Sequence, residues 1–299
     1  MRRRVGWIGQ DGVGSRRVAA TLLALMLGSW LAGTATATAG SGRNRAARGS
    51  ARSTATLDLH NDDFVNAQAI SGTSGSVSDN NTGATGEPGE PNDARVSIPI
   101  QSLWYKWAVP SDATWSFDTC GSSFDTTIGV YIGSKVDHLK LIATSDDDHT
   151  GACGLDSRAI VQGYAGAIYR ISVDGFAGAT GNFTMNWSIP TCTIDGTPGP
   201  DFLNGTSGND VICGRGGNDV IAGAGGNDTL LGGPGDDQVR GEDGNDYLVG
   251  NSGADTLQGG PGIDNVNGVD FVRGNDSLNG GDASDLCYGD PGDPVQKCE

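Results

Sequence analysis

The residues best placed to do chemistry in this 299-residue chain are aspartates that recur every nine positions. From Gly196 the sequence divides without a gap into GTPGPDFLN, GTSGNDVIC, GRGGNDVIA, GAGGNDTLL, GGPGDDQVR, GEDGNDYLV, GNSGADTLQ and GGPGIDNVN, ending at Asn267. The first and fourth residues of each unit are Gly, the sixth is Asp and the eighth is aliphatic. A twelve-residue unit, GVDFVRGNDSLN, and a degraded one, GGDASDLCY, follow. Carboxylates are hard oxygen donors. A series of them suits Ca2+, which takes about six to eight oxygens in irregular geometry, better than Mg2+, which demands a strict octahedron. The candidate ligands are Asp201, Asp210, Asp219, Asp228, Asp237, Asp246, Asp255 and Asp264, with Asp276 and Asp285 in the two irregular units.

Glycine at fixed positions permits the positive φ of a sharp turn beside a bound ion. The last three residues of each unit then form a short strand with one aliphatic side chain facing inward. Leu203, Ile212, Ile221, Leu230, Val239, Leu248, Leu257 and Val266 make that thin core. One such residue in nine cannot offset the ordering entropy of a segment that is about a quarter Gly. Stacked carboxylates also repel one another until a cation neutralises them. Cation binding and folding are therefore expected to be one event. Aspartates that merely close turns through Asx hydrogen bonds would need neither a strict period nor an aliphatic companion. The insertion before Asp276 breaks the register, and Ala283 replaces the turn Gly before Asp285, so these two are read as part of a capping coil.

The nonapeptide resembles the RTX (haemolysin-type) calcium-binding repeat, a parallel β-roll. The resemblance implies that two units make one coil, with each ion held between successive turns of one edge. Asp201, Asp219, Asp237 and Asp255 would then line one edge, and Asp210, Asp228, Asp246 and Asp264 the other.

Upstream, residues 57–190 have the two-residue apolar period of half-buried strands. It is clear in Leu103-Tyr105-Trp107-Val109, Trp115-Phe117, Leu139-Leu141-Ala143, Ala167-Tyr169-Ile171-Val173 and Phe183-Met185-Trp187. Only Asp62 to Ile70 reads as helical, with Asn61 available as its cap. Short strands separated by Gly, Asn, Asp and Ser clusters predict a β-sandwich. The segments 61–70 (NDDFVNAQAI), 83–92 (GATGEPGEPN), 102–107 (SLWYKW), 118–126 (DTCGSSFDT) and 173–183 (VDGFAGATGNF) resemble, in this order, the bacterial pre-peptidase C-terminal domain. That resemblance implies a jelly-roll-like β-sandwich acting as an accessory module, some relatives of which bind calcium or matrix polymers. The whole chain is thus expected to be all-β, a sandwich followed by a β-roll at 192–299.

Charge is distributed by region. Residues 1–55 carry nine Arg and one Asp, residues 56–191 six basic and sixteen acidic side chains, and residues 192–299 four basic and nineteen acidic ones. An acidic tail of this kind repels nucleic-acid phosphates and anionic membranes, which argues against both as partners. Arg2, Arg3, Arg4, Arg16 and Arg17 precede an apolar run from Val18 to Ala32 and the small residues Thr34 to Ala39, the pattern of a secretory signal peptide over 1–39. A Ser/Arg/Ala-rich linker follows at 40–56. The run is too short to suggest membrane insertion, so a secreted, extracellular protein is expected. Six cysteines without a C-x-x-C pair favour disulfides in such a compartment. Proximity in the chain suggests Cys120–Cys153, Cys192–Cys213 and Cys287–Cys298.

Other candidates carry less. Asp62, Asp63, Glu87, Glu90, Asp93 and the run Asp146-Asp147-Asp148 would be either a further calcium site or solvated loops, and loops are the commoner outcome. Trp104, Tyr105, Trp107 and Trp115 would be a polymer-binding face or core, and core is the commoner one. His60, His138 and His149 sit in no metalloprotease or nucleophile-elbow motif. The reading is a calcium-binding protein with a matrix or cell-surface polymer as its second partner, and not an enzyme. The alternative is a secreted hydrolase with an unconventional site in residues 57–190.

Overall fold

Strands form wherever the upstream sequence alternates, and they are short because Gly and Asn clusters interrupt them. The computed structural model describes residues 60–91, 101–148 and 153–298. The expected leader and linker, and the candidates Asp93 and His149, lie outside these residues. The upstream strands are β1 (Gln68–Ile70), β2 (Ser74–Asn80), β3 (Leu103–Ala108), β4 (Ala113–Asp118), β5 (Thr126–Ile132), β6 (Lys140–Ser145), β7 (Arg158–Gly163), β8 (Ile168–Gly175) and β9 (Asn182–Ser188). They make a five-stranded sheet in the order β1-β3-β8-β5-β6 and a four-stranded sheet in the order β2-β9-β4-β7. The pairings are antiparallel except β1 with β3.

One core joins the two sheets. Leu103, Tyr105, Trp107 and Val109 meet Trp115, Phe117, Phe183, Met185 and Trp187 in a single buried cluster. Trp107 packs edge-on against Trp115 and Phe117, with ring centroids 4.7 and 5.2 Å away, an arrangement favoured by the ring quadrupoles. Trp104 points to the other side of its sheet, against Phe64 and Tyr131. All four candidate aromatics are fully buried, so they are core and not a ligand face.

The helix expected over Asp62–Ile70 does not form. A 3-10 turn at Phe64–Asn66 is followed at once by β1. Two long-range bonds explain the difference: Asp62 accepts the Thr85 amide at 2.6 Å, and Glu87 accepts the Phe64 amide. Asn61 is not the cap: the turn starts after Asp63, which makes no side-chain cap bond, and the Asn61 carbonyl instead takes the Trp104 amide at 2.8 Å. The segment is pulled straight and delivers Ile70 to the core.

The nonapeptides give two parallel sheets. One comprises β10 (Ile194–Asp195), β12 (Val211–Cys213), β14 (Thr229–Leu231), β16 (Tyr247–Val249), β18 (Asn265–Asn267) and β20 (Leu286–Tyr288). The other comprises β11 (Phe202–Asn204), β13 (Val220–Gly225), β15 (Gln238–Asp243), β17 (Thr256–Pro261), β19 (Ser277–Asp282) and β21 (Val295–Gln296). Val211 pairs with Thr229 and Val220 with Gln238, so two units complete one coil. The eighth-position residues Ile212, Ile221, Leu230, Val239, Leu248, Leu257 and Val266 stack as a continuous buried column, which Leu278 extends through the insertion. The three expected disulfides are present, with Cα separations of 5.0, 5.9 and 5.7 Å.

Glycine serves two different purposes in the coil. At the fourth position, from the third unit on, it adopts positive φ, as at Gly217 (104°) and Gly244 (140°). At the first position φ is ordinary, and the constraint is space: a Cβ on Gly223 would strike both Asp228 Oδ2 and the Gly241 carbonyl. The second position also turns left-handed, and there the sequence tolerates Arg215, Ala224, Glu242 and Asn251.

Candidate metal centre

Each sixth-position Asp sits where the turn ends and the strand begins, so its backbone is fixed by the β-ladder and its carboxyl is held over the turn. The amide of each Asp donates to Oδ1 of the Asp one coil later. One edge runs Asp201, Asp219, Asp237, Asp255, Asp276, with steps of 2.8, 2.8, 2.9 and 2.8 Å. The other runs Asp210, Asp228, Asp246, Asp264, Asp285, with steps of 2.8, 2.8, 2.8 and 2.9 Å. All ten candidate aspartates therefore fall in two columns, including the two in irregular units.

The second oxygen of each interior carboxyl is free. Oδ2 of Asp219, Asp228, Asp237, Asp246, Asp255, Asp264 and Asp276 is buried with no hydrogen-bond partner, and these residues are at most 1 % exposed. Buried polar atoms are almost always paired, so seven repetitions of the same orphan mark a place for a cation. Carbonyl oxygens converge on the same spots. A Cβ placed on Gly214 would touch Asp219 Oδ2 and the Gly232 carbonyl, and one on Gly232 would touch Asp237 Oδ2 and the Gly250 carbonyl. Hard oxygens of carboxylate and peptide, gathered at a glycine that leaves room, fit calcium.

Burial pushes these acids up. Asp228 and Asp237 rise to about 6, Asp246, Asp264 and Asp276 to about 7, and Asp255 to about 8. Desolvation is the main cause, and neighbouring carboxylates add to it, against the bond from the preceding Asp amide. Without a counter-charge the columns favour protons.

The N-terminal end of the columns differs. Asp201 Oδ2 accepts the Thr197 amide and hydroxyl at 2.6 and 2.9 Å, and Asp210 Oδ2 accepts those of Thr206 at 2.7 and 2.8 Å. These bonds hold Asp210 below the usual carboxylate range, the Thr206 amide contributing most. The first coil thus fills with threonine the position that interior coils leave open.

Two features were missed by the sequence reading. Asp293, beyond the last unit, continues one column by accepting the Asp276 amide at 3.3 Å. The fifth-position residues form a second ladder, in which Asn209, Asn227 and Asn245 side chains accept the amides of Asn227, Asn245 and Ile263 at 2.8, 3.0 and 2.9 Å. The G-N-D triplets of the second, fourth and sixth units carry that signal in the sequence.

Among the described residues, several upstream acids have hydrogen-bond partners of their own. Glu90 accepts from the Ser102 hydroxyl and from Trp104 Nε1, the latter at 3.0 Å. Asp148 lies 3.5 Å from Arg158 and accepts the Cys153 amide at 2.9 Å. Asp146, pushed to about 7 by burial and by Asp147 and Asp125, keeps one buried unpartnered oxygen, as Asp125 does. Among the described residues, the clusters Asp118/Cys120/Cys153 and Cys192/Asp195/Cys213 each contain a disulfide and offer no thiolate. His138 is exposed beside Asp137, 2.6 Å away. No helix among the described residues is long and apolar enough to cross a membrane.

The family model for the RTX calcium-binding nonapeptide repeat (4 copies) matches residues 195–230, 231–266 and 273–295. The matches coincide with the two columns. No curated protein matches the chain.

Proposed function

From the premise that residues 195–295 carry RTX calcium-binding nonapeptide repeats, we propose that this is a secreted calcium-binding protein whose roll folds on the ion. The observation that carries the reading is the row of buried, unpartnered Oδ2 atoms on interior aspartates. Asp219, Asp228, Asp237, Asp246, Asp255, Asp264, Asp276 and Asp285 would hold the ions together with first-position carbonyls. Asp201 and Asp210 would close the end of each column. Calcium supplies the positive charge that lets stacked carboxylates stay ionised out of water.

The second half of the proposal is a matrix or cell-surface polymer held by the upstream sheets, with no catalysis. With the large aromatics in the core, the polymer would meet polar loops and edges. Support comes from the acidic composition, from the signal-peptide pattern expected over 1–39 and from the accessory modules that residues 57–190 resemble.

Equilibrium dialysis of the full chain against calcium in excess magnesium tests the first half. Several calcium ions per chain are expected, and none retained would refute it. Cosedimentation with insoluble polysaccharides, in calcium and in chelator, tests the second. Retention on at least one polymer is expected, and recovery in every supernatant would contradict it.

A further inference from the structure

The two faces of the roll are chemically different, and the difference follows unit parity. On the sheet of β12, β14, β16, β18 and β20, the outward seventh and ninth positions hold Val211 and Cys213, Thr229 and Leu231, Tyr247 and Val249, Asn265 and Asn267, and Leu286 and Tyr288. Strands β14, β16 and β18 of that sheet are buried at every residue, and β12 at all but Val211. On the opposite sheet these positions of β15 and β17 hold Gln238, Arg240, Thr256 and Gln258, all exposed, β19 has the half-buried Ser277 and Asn279, and among the interior strands only β13 is apolar, with Val220 and Ala222. A free-standing roll has no use for outward Leu231, Tyr247 and Val249.

The upstream sheets of the same chain cover this face. Ile160 of β7 is buried with Cys213, Leu231, Tyr247 and Val249. Its amide donates to Tyr247 Oη at 3.0 Å. Contacts continue along the roll: the Thr114 hydroxyl to Asn251 at 3.2 Å, Asn267 Nδ2 to the Ile142 carbonyl at 3.4 Å, and the Tyr288 hydroxyl to the Thr144 carbonyl at 3.4 Å. At the far end Lys140 pairs with the buried Asp290 at 2.6 Å and lies over the Phe271 ring, 4.7 Å from its centroid. Tyr164 packs against the same ring in a tilted arrangement, with centroids 5.7 Å apart. Phe271 belongs to the twelve-residue unit, so the extra residues that break the repeat also build this contact.

We propose that the upstream sheets sense calcium through this face: loading the columns sets Tyr247, Val249 and Leu231 in register, and the sheets gain stability by docking on them. The coupling is short, because Tyr247 follows Asp246 directly and Asn265 follows Asp264. The inference rests on the calcium reading above. It also leaves the polar sheet, not the apolar one, as the roll surface open to a partner.

Tryptophan fluorescence isolates the effect, because Trp104, Trp107, Trp115 and Trp187 lie in the upstream sheets and residues 192–299 contain no Trp. Trp7→Phe and Trp30→Phe remove the remaining two. In this background the thermal transition seen by tryptophan is expected to rise by at least ~5 °C between chelator and millimolar calcium. Ile160→Asp, which leaves the roll sequence intact, and Lys140→Met should each shrink that rise by half or more. Both should keep the calcium-induced far-UV signal of the roll. A tryptophan transition indifferent to calcium would overturn the proposal. So would an undiminished rise in both variants, which would place calcium on the sheets themselves, at Asp125 and Asp146. Absence of any far-UV response would instead overturn the calcium reading.

Discussion

Asp237 donates its amide to Oδ1 of Asp255, 2.9 Å away and one coil further on, while Oδ2 of Asp255 is buried with nothing to bond. One oxygen of the pair builds the roll and the other is left for a cation. This division separates folding geometry from ion binding within a single carboxyl group. It also explains why Asn suits the neighbouring fifth position, where Asn245 needs only to accept an amide, and not the sixth.

Interior and terminal aspartates should therefore differ on substitution. Asp237→Asn or Asp246→Asn keeps the Oδ1 bond but puts a neutral amide where the free oxygen was. The midpoint of a calcium titration followed by far-UV signal should rise about three- to tenfold, up to ~1.4 kcal/mol. Asp201→Asn, whose second oxygen already serves Thr197, should move it less than twofold.

The pH response of the cation-free roll follows from the raised acids. A carboxyl whose folded pKa lies above its ordinary 3.8 stabilises the fold fully below that value and loses the contribution as pH rises through the folded one. With Asp228 and Asp237 near 6, Asp246, Asp264 and Asp276 near 7 and Asp255 near 8, the loss falls between about pH 4 and 8. In chelator, β signal should grow as pH falls through that window. In calcium, the midpoint should rise over the same fall, because protons compete for the same oxygens. A chelated roll that gains structure toward alkaline pH would contradict this sign.

Glycine and alanine exchanges should act in opposite directions at two positions. Gly223→Ala puts a methyl against Asp228 Oδ2 and the Gly241 carbonyl, and should weaken calcium binding and lower the melting temperature. Ala283→Gly relieves a non-glycine residue at φ 119° and should stabilise the calcium-loaded chain by ~1 kcal/mol in denaturant unfolding, net of the entropy glycine adds to the unfolded chain.

The columns were legible because the nine-residue period is local: Gly, Asp and the aliphatic residue fall within one unit. Two units per coil came from the resemblance, and the pairing of Val211 with Thr229 bears it out. The unequal faces were not seen, although Leu231, Tyr247 and Val249 carry them, because that pattern has an eighteen-residue period and makes sense only with Ile160 opposite. Asp293 escaped notice because it lies outside the register. The misread helix at Asp62–Ile70 shows the same limit, since Glu87 and Thr85, more than twenty residues away, decide its conformation.

The most direct measurement is far-UV circular dichroism of the full chain, disulfides intact, titrated with calcium and separately with magnesium. The account predicts a cooperative gain of β signal with calcium, reversed by chelation, and little or none with magnesium at the same concentration. A spectrum unchanged at millimolar calcium, or an equal response to both ions, would contradict it.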